Sequence, residues 1–467
     1  MHHPNSHSTW VELSPLDLRK DEEGPEEKYS PPRRAFTEPT PTTRPSMPST
    51  ARLTDGRVHV SPARPTVTSN ETSEKRRGIW GIVSPFWFLF SLGTVTLTIV
   101  SWVLHFVLGN RSPTAVFVSA FSALLLQAYI LGYATEQLSL SSGEKVAALL
   151  NVSFGNAVEL IVAIVALTKC ELEVVQSSLV GSVFSNLLLV TGMALIAGGL
   201  RHGVQRFSSE EAQLQSALLV FACCSVLFPT VSYLLQSFNQ SDLSRVGNSL
   251  HVFSRGSAIV SIMVYGCFLV YSMKKSKVAP IANERDSENT HIETEEEEDE
   301  EPSIGRLVAL LLLLGTTAVV GITAEFLVSS LDGMTSEGPL SKQFVSVILL
   351  PIVGNAAEHC SAVMLAVKNK TRMCLDIAVG SSLQISLFVL PVSVILGWIM
   401  GRPLTFFLDP LQSVILLVSV ILVSFIIQDG KSNWMEGVLL FALFVNLCVA
   451  FQVYSGFGPN VAVNGCT

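Results

Sequence analysis

The chain has 467 residues, of which 49% are hydrophobic and 15% charged, with a formal net charge of −8. Soluble domains carry about 25% charged residues, so this composition excludes an ordinary soluble protein. The balance also excludes a basic nucleic-acid binder, because eight of the negative charges form one block, Glu293, Glu295 to Glu298, Asp299, Glu300 and Glu301, and the rest is neutral overall.

Residues 1–79 are rich in Pro, Ser, Thr and Arg and poor in large apolar side chains, a composition that predicts a disordered tail. The first 30 residues hold no apolar core, so no cleavable signal peptide is expected. From Trp80 onward, apolar segments long enough for a bilayer alternate with short polar loops. Eleven spans are expected: 82–108, 113–137, 146–168, 173–199, 211–235, 248–273, 304–331, 343–367, 374–400, 404–427 and 433–454. The eight cysteines include no CxxC pair and read as small core residues.

Basic residues set the orientation. Lys75, Arg76 and Arg77 precede the first span. Arg201 and Arg206, Lys274, Lys275 and Lys277, and Lys368, Lys370 and Arg372 fall in the even-numbered loops, which are therefore expected on the cytosolic side with the N-terminus. An odd number of spans places the C-terminus on the other face. The acidic block lies in the longest cytosolic loop, either as a solvated linker or as a surface that concentrates cations. Asn239-Gln240-Ser241 is a glycosylation sequon in an expected luminal loop.

The chain repeats itself. Gly155-Asn156-Ala157-Val158-Glu159 and Gly354-Asn355-Ala356-Ala357-Glu358 are related by an offset of 199 residues, and the same offset relates Gly181-Ser182 to Gly380-Ser381. The copies fall on spans three and four and on spans eight and nine. Five spans separate them, so the halves are expected to be inverted copies, an architecture that puts binding sites near the bilayer midplane.

Glu159 and Glu358 sit inside apolar spans, where an ionised acid costs about 2.5–3.5 kcal/mol. No Lys or Arg lies within the neighbouring spans to compensate, so a bound cation or a proton is expected. Asn156 and Asn355, each three residues before its glutamate, share its helix face. Ser182, Ser185, Asn186, Ser381, Ser382 and Gln384 add hydroxyl and amide oxygens. These are hard oxygen donors, the set that suits Ca²⁺. Gly155 and Gly354 would let a helix unwind and expose carbonyls; the Gly-Ser pairs serve equally well as close-packing residues. Leu160 in the first copy becomes His359 in the second, a group able to relay protons or to bond a neighbouring helix. Glu136 and Glu325 are expected to line an approach path, with the membrane surface as the alternative for Glu136. No HExxH or GxSxG enzyme motif is present.

On the motifs at 155–160, 181–186, 354–359 and 380–384, residues 80–457 resemble the calcium/proton exchanger family of the cation/calcium antiporters, and the tail is similar to those of fungal vacuolar members. The resemblance implies an all-α polytopic fold of one N-terminal helix (80–112) and two inverted five-helix repeats (113–273 and 304–457). A cytosolic acidic linker (274–303) would join the repeats, and a luminal tail (458–467) would follow. It implies a secondary transporter, not an enzyme, that exchanges Ca²⁺ for H⁺ across a vacuolar membrane without a cofactor. Manganese/proton or sodium/calcium exchange is the alternative. Glu159 and Glu358 would be the transport carboxylates, Asn156, Asn355, Ser381 and Gln384 the cation site or its shell, and Glu136 and Glu325 the cytosolic approach. Expected partners are Ca²⁺, H⁺ and the bilayer, with no nucleic acid. Homo-oligomerisation, and regulation through the tail or linker, stay open.

Overall fold

The computed structural model describes residues 85–109, 111–239, 243–282, 302–454 and 456. The N-terminal tail 1–79, the acidic block at 293–301, the C-terminal tail 458–467 and most of the Asn239 sequon lie outside the described residues. Thirteen helices make up the described chain, and the only strands there are Gln205–Arg206 and Lys431–Ser432, which pair antiparallel and tie two loops together.

The first helix, α1, is Pro85–Leu108. The first half continues with α2 (Pro113–Leu140), α3 (Glu144–Phe154), α4 (Ala157–Thr168), α5 (Leu172–His202), α6 (Ser209–Asn239) and α7 (Leu243–Ala282). The second half repeats the order: α8 (Arg306–Glu337), α9 (Lys342–Gly354), α10 (Ala356–Val367), α11 (Thr371–Ile399), α12 (Pro410–Ile427) and α13 (Trp434–Val453). Each half thus holds a long helix, a broken pair, a long helix with a π-helical turn inside it (Ser185–Val190 and Ile385–Val389), and two more helices.

Among the described residues nine helices are long and apolar enough to cross a bilayer, ten when α9 and α10, bent by 61°, count as one span. The expected span 146–168 is two helices, α3 and the shorter apolar α4, divided at Gly155-Asn156. The expected span 404–427 starts late. Pro410 takes the first helical turn, where its missing N–H costs nothing, and Asp409 caps it by accepting from the Leu411 N–H at 2.8 Å.

Burial separates the centre from the rim. In α5, 83% of the apolar window is buried, against 11% in α1, so α5 is central and α1 peripheral. Leu89, Phe106 and Val107 on α1 and Val414 and Phe425 on α12 are exposed. Such surfaces are a liability in water and ordinary against lipid tails.

At α13, Asn433 accepts from the Met435 and Glu436 N–H groups, and the Glu436 carboxylate accepts from the Asn433 N–H at 3.1 Å, a complete capping box. Asn433→Ala is expected to cost about 1 kcal/mol of stability, read as a lowered unfolding temperature in detergent, with transport retained.

Candidate functional site

The site is built at the two helix breaks. Asn156 and Asn355 hold the N-cap positions of α4 and α10, and Glu159 and Glu358 stand in the first turns, three residues on. The pattern Asn-x-x-Glu is the one that forms the capping box at Asn433. Here neither asparagine side chain caps its helix. Both asparagine side chains bond the partner helices instead.

Ser381 Oγ on α11 donates to Asn156 Oδ1 at 2.8 Å, and Asn186 Nδ2 on α5 donates to Ser381 Oγ at 3.0 Å. Asn355 Nδ2 donates to the Ser182 carbonyl at 3.3 Å. His359 Nε2 and Ser185 Oγ are 3.1 Å apart. Gln384 Nε2 donates to the Asn151 carbonyl at 3.3 Å, crossing from α11 to the end of α3. Each repeat therefore holds the other's side chains. Gly354 makes room for this: a Cβ built there would lie 2.6 Å from Glu159 Cδ and 3.0 Å from its Cγ. Two of the three π-helical turns among the described residues, Ser185–Val190 and Ile385–Val389, begin at or next to this cluster, as such turns frequently do at functional sites; the third, Val345–Leu349, lies within α9.

The bonds leave mainly oxygens over: Glu159 Oε1, Glu358 Oε2, Asn186 Oδ1 and Asn355 Oδ1 are buried and have no hydrogen-bond partner in the structure, and the Asn156 Nδ2 donor is the one nitrogen of the cluster left with them. Buried polar atoms are ordinarily satisfied, and four bare oxygens in one cluster are what a hard cation requires. Among the described residues no group of three or more His, Cys, Asp or Glu gathers into a metal site; the donors here are two carboxylates, amides and hydroxyls. A cavity of about 1030 Å³ reaches the cluster from one side, lined by Glu358, Ser381, Gln384 and Gly155 and, further out, by Glu136 and Arg372. Glu159 borders a separate void of about 10 Å³.

A family model described as "Sodium/calcium exchanger protein" matches residues 112–274 and 308–453, covering both halves and the whole site. The chain belongs to this family. It is 41% identical over 341 residues to a vacuolar calcium ion transporter of Schizosaccharomyces pombe, covering 73% of this chain and 79% of that one. It is 39% identical to a Ca²⁺/H⁺ antiporter of Aphanothece halophytica, covering 72% of this chain and 90% of that one. Among solved structures, native YfkE matches at 31% identity with a TM-score of 0.64, covering 79% of this chain and 99% of that one. The H⁺/Ca²⁺ exchanger CAX shares the fold with a TM-score of 0.56 at 13% identity.

In this exchanger contacts across the two breaks link Asn156 and Asn186 to Ser381, Asn355 to Ser182, His359 to Ser185, Gly155 to Gln384 and Gly354 to Glu159, with Glu358 and Ser381 on the cavity wall. Ser382 is not among them; its hydroxyl donates to the Ala378 carbonyl of its own helix at 2.9 Å. Glu325 corrects the expectation that it lines one approach with Glu136. Glu136 lines the large cavity, whereas Glu325 pairs with Lys169 at 3.0 Å, near the other end of the bundle. The reason is the inversion itself: equivalent positions on α2 and α8 must fall on opposite sides. Cys170 also departs from the reading of cysteines as core residues, because it is disulfide-bonded.

Sequence reasoning missed Gln127. Its Nε2 donates to Thr98 Oγ1 at 2.8 Å and to Thr323 Oγ1 at 3.2 Å, joining α1, α2 and α8. A lone amide in an apolar span was the available signal.

Proposed function

We propose that this chain is a vacuolar Ca²⁺/H⁺ antiporter in which Ca²⁺ and protons compete for Glu159 and Glu358. The observation that carries the reading is the set of four bare buried oxygens, two of them carboxylate, meeting between inverted repeats. The printed functions of the relatives, vacuolar calcium transport and Ca²⁺/H⁺ antiport, support it.

Two buried carboxylates repel each other when both are ionised, so the site favours either a divalent cation or protons. Ca²⁺ takes the bare carboxylate and amide oxygens and completes its shell of 6–8 oxygens with water from the cavity. A proton on either carboxyl removes the charge that holds Ca²⁺. One ion therefore excludes the other, and exchange is coupled as long as the empty, ionised site seldom crosses. His359, beside Ser185, is placed to pass protons to the cluster.

The direction we propose is uptake of cytosolic Ca²⁺ against luminal H⁺. The large cavity lies on the side of the loops that carry Arg201, Lys368 and Arg372, the cytosolic side by the basic-residue rule. Cys170 lies at the opposite end and is disulfide-bonded, as suits an oxidising lumen.

The test is Ca²⁺ uptake into proteoliposomes with an acidic interior in sodium-free buffer. Uptake is expected, and it should collapse when a protonophore dissipates the gradient. Uptake that waits for an outward sodium gradient would replace H⁺ by Na⁺ as the counter-ion; a preference for Mn²⁺ in competition would replace Ca²⁺ as the cargo.

A further inference from the structure

One permanent cation stands on the rim of the bundle. Arg255 lies within the apolar stretch Arg245–Lys274 of α7. A charge placed there is costly and ordinarily has a partner. Among the described residues the Arg255 side chain makes no ion pair and no hydrogen bond; its guanidinium carbon sits 4.7 Å over the centre of the Trp398 ring.

The pair marks a membrane boundary. Trp398 is at the end of α11, three residues before the turn at Gly401, whose φ is 69°. From Arg255 to the exposed Lys274 is 19 residues, about 28 Å of helix, close to the thickness of a hydrocarbon core. Tyr265, Phe268 and Met273 between them line the large cavity. Lys274 therefore stands at the boundary on the cavity side, and Arg255 with Trp398 at the opposite one. Tryptophan is ordinary at such a boundary; an unpaired cation stacked on it is not.

The chain around the pair is basic and carries no acid. Residues 245–274 and 386–408 contain no Asp or Glu, but contain Arg245, Arg255 and Arg402. His251, one turn before Arg255 and so on its face, leaves its buried Nδ1 without a partner. The flanks are apolar: Val252 and Ile259 on α7 and Ile399 beside Trp398 are exposed. Gly256 is exposed as well, and a Cβ there would meet nothing within 4 Å, so the helix surface next to Arg255 is open.

Stacking on the indole leaves the edge of the guanidinium free, and that edge is the fork that grips a phosphate with two hydrogen bonds. A cation between exposed apolar flanks suits a molecule with an anionic head and hydrocarbon tails. A zwitterionic head would bring an ammonium group to a rim with no carboxylate to receive it, and the Trp398 face is already taken by Arg255. We infer that Arg255 and Trp398 form a binding site for the phosphate of an anionic phospholipid, in the leaflet opposite the large cavity, with its chains along Val252, Ile259 and Ile399. The site bridges α7 and α11, which also meet where Tyr265 stacks on Phe388 at 5.7 Å between ring centroids, one turn beyond Gln384. The inference goes beyond the exchange reaction and does not depend on which ions are carried.

Native mass spectrometry of the full chain in detergent tests it. Dioleoyl phosphatidylglycerol and dioleoyl phosphatidylcholine, which differ only in the head, are titrated onto delipidated protein. The parent should hold one phosphatidylglycerol several-fold more tightly than phosphatidylcholine. Arg255→Gln should weaken that binding about ten-fold, the loss of roughly 1.4 kcal/mol, and Trp398→Leu several-fold, with phosphatidylcholine binding unchanged. Arg402→Gln removes the same charge from the same end of the bundle, where Arg402 holds the Thr168 carbonyl at 3.2 Å, and should bind like the parent. If Arg255→Gln does not fold, Arg255→Lys takes its place; it keeps the charge, loses the fork and should bind several-fold more weakly. Equal affinity of the parent for the two lipids, unchanged phosphatidylglycerol binding in the Arg255 variant, an equal loss in Arg402→Gln, or displacement of the lipid by inorganic phosphate would overturn the inference.

Discussion

Glu159→Gln and Glu358→Gln are each expected to lower proton-driven Ca²⁺ uptake by about 100-fold or more, equivalent to roughly 2.7 kcal/mol. The amide keeps the volume and can still accept from its neighbours, so the fold should survive; unfolding temperatures within a few degrees of the parent would show that it does. The negative charge is what goes. A charge-assisted contact is worth roughly twice a neutral one, and the difference grows in a buried site where water does not screen it. Protonation is lost with the charge, because an amide does not titrate, so the variant can neither bind Ca²⁺ well nor exchange it for a proton. Uptake above a tenth of the parent's in either variant would remove that glutamate from the transport site.

Much of this site was legible because the chain states it twice. A glutamate in an apolar span is costly anywhere, and a repeated Gly-Asn-Ala-x-Glu with Gly-Ser at a fixed distance names both the residues and their meeting place. The limits are equally physical. Asn433-x-x-Glu436 and Asn156-x-x-Glu159 have the same spacing, and only the structure shows that the first is a cap while the second leaves the cap unmade and turns inward. The side on which Glu325 falls follows from the inversion, which puts equivalent positions of α2 and α8 at opposite ends; residue type alone does not carry it. The π-helical turns at Ser185–Val190 and Ile385–Val389 carry no composition signal. Gln343 and Gln412 look in sequence like polar interruptions of apolar runs; their bond to each other across 69 residues is a product of packing.

Gly354→Ala is the second large effect. It adds one methyl group, yet that methyl would lie 2.6 Å from Glu159 Cδ. Either the carboxylate turns out of the cluster or the α9–α10 break shifts, and overpacking of this kind costs about 1–3 kcal/mol, so Ca²⁺ uptake should fall by roughly 5- to 150-fold. The cause can be separated from a general loss of flexibility at the break. Glu159→Asp shortens the side chain by one methylene and withdraws the carboxyl from the new methyl. If the overlap with Glu159 is what disables the site, Gly354→Ala should cost much less in the Glu159→Asp background than in the parent, a non-additivity of about 1 kcal/mol or more in a double-mutant cycle. If the two substitutions instead multiply, the glycine matters for the bend of the broken helix, and its close approach to Glu159 is incidental.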